Sequence, residues 1–94
     1  MKRLVLTAYR YREHLGEEDL RKLTKKFAEL GTVPTVVAHY ERLDGMGGFM
    51  IEEAAEDPEQ GFERTLRYAP WVELETFSVT TIEDAFPVIQ RVYG

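Results

Sequence analysis

Five residues, Asp44-Gly45-Met46-Gly47-Gly48, constrain this chain more than any other stretch. They separate two runs of strand formers, Thr35 to Arg42 and Gly48 to Ala54, and supply the permissive backbone that a tight reversal needs. The spacing predicts a β-hairpin. Two strands joined by a turn are at best marginally stable in water, so other strands and a covering layer must come from the rest of the chain.

Those elements are legible on either side. Leu4 to Tyr9 is a run of strand formers with Leu4, Leu6 and Ala8 on one face and Val5 and Tyr9 on the other, the pattern of a central strand covered twice. Glu17 to Leu30 reads as a helix, because Leu20, Leu23, Phe27 and Leu30 form one stripe and acidic residues fill the first turn. Gly31 and Pro34 stop it. A second helix opens with Asp57 as N-cap, Pro58 at N1 and Gln60 reaching back in a capping box, with Phe62, Leu66 and Ala69 as its buried stripe. Val72 to Thr81 is a last strand, and Ile82 to Tyr93 a final helix that Pro87 either starts or kinks.

Strand, helix, strand, strand, helix, strand is the order of a ferredoxin-like βαββαβ domain, here with an extra C-terminal helix. The expected class is therefore α+β: one domain over residues 1–94, with both main helices on one face of a four-stranded antiparallel sheet. The second sheet face stays bare. Val5, Tyr9, Val37 and Met50 or Ile51 are expected to make it apolar, and a bare apolar face needs a cover. A second copy is the economical cover, so a homodimer enclosing a dimeric α/β barrel is expected.

Composition removes several classes. The chain is 44% hydrophobic, which argues against disorder, and its net charge of -5 disfavours nucleic acid. With no cysteine there is no disulfide, thiol nucleophile or thiolate metal site. His14 and His39 lack the spacing of a metal site, so neither metal nor cofactor is expected. No apolar run is long enough for a membrane span, and no signal peptide is recognisable at the start. A cytoplasmic protein without membrane partners is the default.

Several stretches resemble a family of short bacterial proteins known as a domain of unknown function, within the dimeric α/β-barrel, ferredoxin-like superfamily. They are Leu4-Val-Leu-Thr-Ala-Tyr-Arg-Tyr-Arg-Glu-His14, Ala38-His-Tyr-Glu-Arg42, Gly45-Met-Gly-Gly-Phe-Met-Ile-Glu-Glu-Ala-Ala-Glu-Asp57, and Pro70-Trp71 before Phe77-Ser-Val-Thr80. The family pattern has an aromatic at Tyr40, an acid at Glu53 and an aromatic at Trp71. This chain departs from it at Glu52, usually apolar, and at His39, more often arginine. The resemblance implies the fold and the dimer. The wider superfamily holds cofactor-free monooxygenases, isomerases and cyclases, haem-degrading enzymes and pure ligand binders, so the function stays open. Haem ligation by His39 rests on that analogy alone.

The hairpin register selects the candidate site. A four-residue loop, Asp44 to Gly47, pairs Leu43 with Gly48 and sets His39 opposite Glu52, with Val37, Glu41 and Met50 on the same face. Ala38, Tyr40, Phe49, Ile51 and Glu53 then pack on the helices. A five-residue loop reverses the parity and brings His39 to Glu53. The first register leaves the helix side more apolar and is preferred. A carboxylate beside a histidine raises its pKa and orients its ring, which suits general acid or base work.

On this reading His39 and Glu52 are the candidate catalytic pair, and Tyr9, Val37 and Met50 line a site in the dimer interior. The ligand expected there is a small apolar or aromatic molecule, and the chemistry would be of cyclase, isomerase or monooxygenase type. Against this stands a non-catalytic ligand-binding or structural protein, in which His39 and Glu52 are a polar pair at the seam. Tyr11, Tyr40, Tyr68 and Trp71 are further aromatics that serve either a pocket or the core. The glycine-rich turn leads into a strand rather than a helix, which excludes a phosphate cradle.

Overall fold

The computed structural model describes residues 1–31, 33–54 and 57–94. Ala55 and Glu56, part of the third resembling stretch, lie outside the described residues. The elements are β1 (Leu4–Tyr11), α1 (Glu17–Leu30), β2 (Val36–Glu41), β3 (Gly47–Glu53), α2 (Pro58–Tyr68), β4 (Val72–Val79) and α3 (Ile82–Tyr93). The strands form one antiparallel sheet ordered β2-β3-β1-β4. This is the ferredoxin-like βαββαβ arrangement with an added C-terminal helix, as the sequence predicts.

Helix boundaries follow local chemistry. α1 begins after Gly16, whose N–H donates to the Asp19 carboxylate (3.0 Å), and ends where Gly31 takes φ 68° and donates to the Phe27 carbonyl. At α2 the Asp57 side chain accepts from the Glu59 N–H (3.0 Å), a simple N-cap in place of the predicted box through Gln60. Thr81 caps α3 by accepting from the Asp84 N–H, and Pro87 sits inside that helix without ending it.

α2 does not bury the stripe expected of it. Gly61, Arg64, Thr65 and Tyr68 face the sheet side, while Phe62 and Leu66 are 63% and 55% exposed. Both sets have helical spacing. The rotation is settled by Arg64, which turns inward to reach a buried carboxylate on β3.

The hairpin also differs from its expected register. Arg42 to Met46 connect the strands, Arg42 donates its N–H to the Gly47 carbonyl (2.8 Å), and Gly45 takes φ 75° in the turn. The closing pair is Glu41 with Gly48, so His39 lies opposite Met50 rather than Glu52. Glu52 pairs with Val36 across a β-bulge at Val37. Slipping by two residues preserves facing, so His39, Glu41, Met50 and Glu52 still share a side. The bulge removes Val37 from it and leaves that residue 55% exposed.

That shared side faces α1 and α2, not the bare face on which a dimer was expected to place it. Val5, Thr7, Tyr9 and Tyr11 of β1 lie there with Val72, Leu74 and Thr76 of β4. The opposite face carries Ala38, Tyr40, Phe49, Ile51 and Phe77, with Phe49 paired to Ala8 and Phe77 to Leu6. Alternation says which residues share a face, whereas the handedness of the β-α-β crossover decides which face the helices cover. With apolar residues on both faces, the sequence pattern could not choose between them.

Candidate functional site

Between the sheet and the two helices lies a cavity of about 730 Å³. Its walls are mainly apolar. β1 contributes Val5 and β4 contributes Val72 and Leu74, while α1 contributes Leu23 and Phe27 and β3 contributes Met50. The volume falls in the range of small-molecule sites. Of the residues singled out from the sequence, Tyr9, His39, Met50 and Glu52 line it and Val37 does not.

His39 and Glu52 are not partners. His39 Nε2 lies 2.7 Å from the Tyr9 hydroxyl, and that hydroxyl donates to Glu41 Oε1 at 2.7 Å. Tyr11 donates to the other oxygen, Oε2, at 2.5 Å. A phenol has one hydrogen and a carboxylate has none to give. Tyr9 therefore spends its hydrogen on Glu41, and the His39 contact must use a hydrogen on Nε2. This fixes the tautomer and leaves Nδ1 as the basic nitrogen. Rings hold the imidazole edge-on from two sides, Tyr9 at 5.6 Å and Phe27 at 6.0 Å between centroids.

The network depends on a missing side chain. Tyr9 pairs with Gly48 across the sheet, and Gly48 pairs with Glu41 on its other side. A β-carbon at Gly48 would collide with the Tyr9 hydroxyl and the Tyr40 carbonyl oxygen. Glycine thus lets the Tyr9 ring lie across β3 and reach His39 and Glu41 on β2. Burial first, and then donation to Glu41, pushes the Tyr9 and Tyr11 phenols well above their ordinary range. Both remain protonated donors at neutral pH.

Glu52 belongs to a second polar cluster. It is 4% exposed, accepts from Arg64 (2.6 Å) on Oε1 and from Thr35 Oγ1 (3.1 Å) on Oε2. A buried carboxylate must be paired to stay charged, and Arg64 supplies the countercharge. Burial also raises the nearby Tyr68 phenol, with Arg64 opposing the shift.

Glu41 and Tyr11 gave a signal in the sequence, since each follows its partner, His39 or Tyr9, by two residues and so shares its face. Arg64 gave a weaker one, as part of the stripe Gly61, Arg64, Thr65 and Tyr68. Its polarity hid it behind Phe62 and Leu66.

Among the described residues, no three His, Asp or Glu side chains gather closely enough to hold a metal ion. Among the described residues, no helix is long and apolar enough to cross a membrane. Comparison of the sequence with curated proteins gives no match. A family pattern spans nearly the whole chain, residues 6–93, and the chain accordingly belongs to the family described as Domain of unknown function (DUF3303).

Proposed function

We propose that the cavity binds a small, largely apolar organic molecule and offers it the His39 imidazole as a proton acceptor and donor, without a cofactor. The observation that carries this reading is the convergence of apolar walls on the linked set His39, Tyr9, Glu41 and Tyr11. A proton taken by Nδ1 makes an imidazolium, whose charge Glu41 stabilises through the Tyr9 hydroxyl. The same proton then returns to another atom of the ligand, an isomerisation that needs no oxidant or reductant. Glu52 has no part in the step, because Arg64 and Thr35 already engage both of its oxygens.

A second reading is binding without turnover. It is favoured by the exposure of His39 to solvent, since proton transfer from a weak carbon acid gains from exclusion of water. Titration with 1-naphthol, followed by amide shifts, tests both readings. Saturable shifts at β1, β2 and α1, weakened by Tyr9→Phe, are expected. Shifts absent, or confined to the outer sheet face, would remove the cavity from consideration. Deuterium exchange from solvent into bound enolisable ketones, lost in His39→Ala, separates catalysis from binding.

A further inference from the structure

Arg64 is only partly engaged by Glu52. A guanidinium carries five N–H groups, and here a single nitrogen, Nη2, donates to Glu52 Oε1 at 2.6 Å. Among the described residues, no acceptor meets Nε or Nη1. The side chain is 28% exposed and lines the cavity, so its remaining donors are within reach of whatever fills that space.

The helix beside it leaves room. Gly61 stands one turn before Arg64 on the face of α2 that lines the cavity, and a β-carbon there would meet nothing within 4 Å. Neither a positive φ nor a close approach calls for glycine at this place, and glycine inside a helix lowers its stability. What Gly61 provides is space next to the guanidinium. Apolar floor adjoins it. Glu52 pairs with Val5 across the sheet, and two residues along β3, about 7 Å, Met50 stands opposite His39.

We propose that the cavity takes a small apolar or aromatic carboxylic acid, its carboxylate accepting from Arg64 beside Gly61 and its body lying over Val5 and Met50 toward His39. The assignment rests on the function proposed for the cavity and names the class of ligand. A guanidinium edge matches a carboxylate with two parallel N–H bonds. Glu52 takes one hydrogen of Nη2, so the other hydrogen and either Nε or Nη1 still form one complete edge. A carboxylate on that edge lies nearer to the guanidinium than to Glu52, and attraction exceeds repulsion. One cation already facing one acid suits a monoanion, whereas a doubly charged phosphate would double the repulsion from Glu52.

Titration with 2-naphthoate and with its neutral amide of the same shape, 2-naphthamide, tests the assignment. Naphthoate is expected to bind about tenfold more tightly, the gain of a charge-assisted bond, and to shift the Arg64 Nε–H signal. In Arg64→Met/Glu52→Leu, which removes the guanidinium without stranding the acid, that preference should vanish. Gly61→Leu keeps the ion pair, favours the helix and fills the space beside it. It should weaken naphthoate about tenfold, the loss expected when the bound ring is crowded, with an unchanged circular dichroism spectrum. Equal affinity for acid and amide overturns the proposal. So does a preference that survives in the double variant, or naphthoate affinity unchanged in folded Gly61→Leu. If 1-naphthol binds in the cavity and naphthoate shows no preference over its amide, only this inference falls. If none of the three compounds binds there, the function proposed for the cavity falls with it.

Discussion

Two polar clusters sit on the same face of the sheet, and they solve the problem of a shielded carboxylate in opposite ways. Glu52 is matched by a fixed charge on Arg64 and by Thr35, so its oxygens are committed. Glu41 is met by two neutral phenols, and its charge reaches the His39 ring through one of them. Glu41 stands opposite Gly48, and Gly48 lies four residues from Glu52 along β3, about 13 Å. Pairing with arginine stabilises the fold and commits both carboxylate oxygens. Neutral donors leave the negative charge available to a proton that arrives on the imidazole. The first arrangement is structural, and the second is suited to chemistry.

Removing Arg64 should produce the largest effect. In Arg64→Met the Glu52 carboxylate stays buried without a partner, a loss of about 3 kcal/mol, at the low end for buried pairs because Arg64 is partly exposed. Urea unfolding measures it. The double variant Arg64→Met/Glu52→Leu should recover most of the loss, since packed apolar groups replace a buried pair at little cost. Failure to recover would assign Glu52 more than a structural role.

Gly48→Ala should come next, because the added methyl would occupy the place of the Tyr9 hydroxyl. Forcing that ring aside costs on the order of 1–3 kcal/mol, again read by urea unfolding. It should also free His39, so its ¹⁵N shifts should move from the Nε2–H tautomer toward a mixture. The Glu52 cluster should be undisturbed. Retained tautomer in Gly48→Ala would mean that Tyr9 does not hold the ring.

The two clusters were unequally legible in the sequence. Strand and helix identities came from strong local signals: the glycine turn, the stripe of α1, and Asp57 followed by Pro58. Alternation placed His39, Glu41, Met50 and Glu52 on one face correctly, because a two-residue slip preserves parity. It could not reveal the bulge at Val37, which depends on how β2 meets β3. Nor could it say which face the helices cover. Assigning Glu52 to His39 failed for the same reason, since partnership depends on exact register and on Arg64, a residue from α2 that no hairpin argument includes.

Tyr9→Phe should have a smaller effect. It removes the hydroxyl that links His39 to Glu41 while keeping the ring over Gly48, and a lost hydrogen bond of this kind costs about 1 kcal/mol. The sharper readout is again the imidazole, whose Nε2–H preference should weaken while the Glu52–Arg64 pair persists. Arg64→Met should leave that tautomer unchanged, so the two variants together test whether the clusters are independent.

The smallest effect is a slope against pH. In the folded protein the Tyr9 and Tyr11 phenols titrate above their free value of 10.0, through burial and then through donation to Glu41. Above pH 10 the unfolded chain therefore loses phenolic protons that the folded chain keeps. The stability these groups contribute is fully present below that pH and declines as pH rises toward their folded values. Urea midpoints collected between about pH 9 and 11 should fall more steeply in the wild type than in Tyr9→Phe/Tyr11→Phe. The raised Tyr68 phenol is common to both proteins, so the difference in slope isolates the two tyrosines. Arg64→Met should not flatten the slope, because it leaves Tyr9 and Tyr11 in place and removes the charge that opposes the upward shift of the Tyr68 phenol. Equal slopes in the wild type and the double phenylalanine variant would mean that Glu41 does not hold the phenols, and the contrast between the two carboxylates would lose its basis.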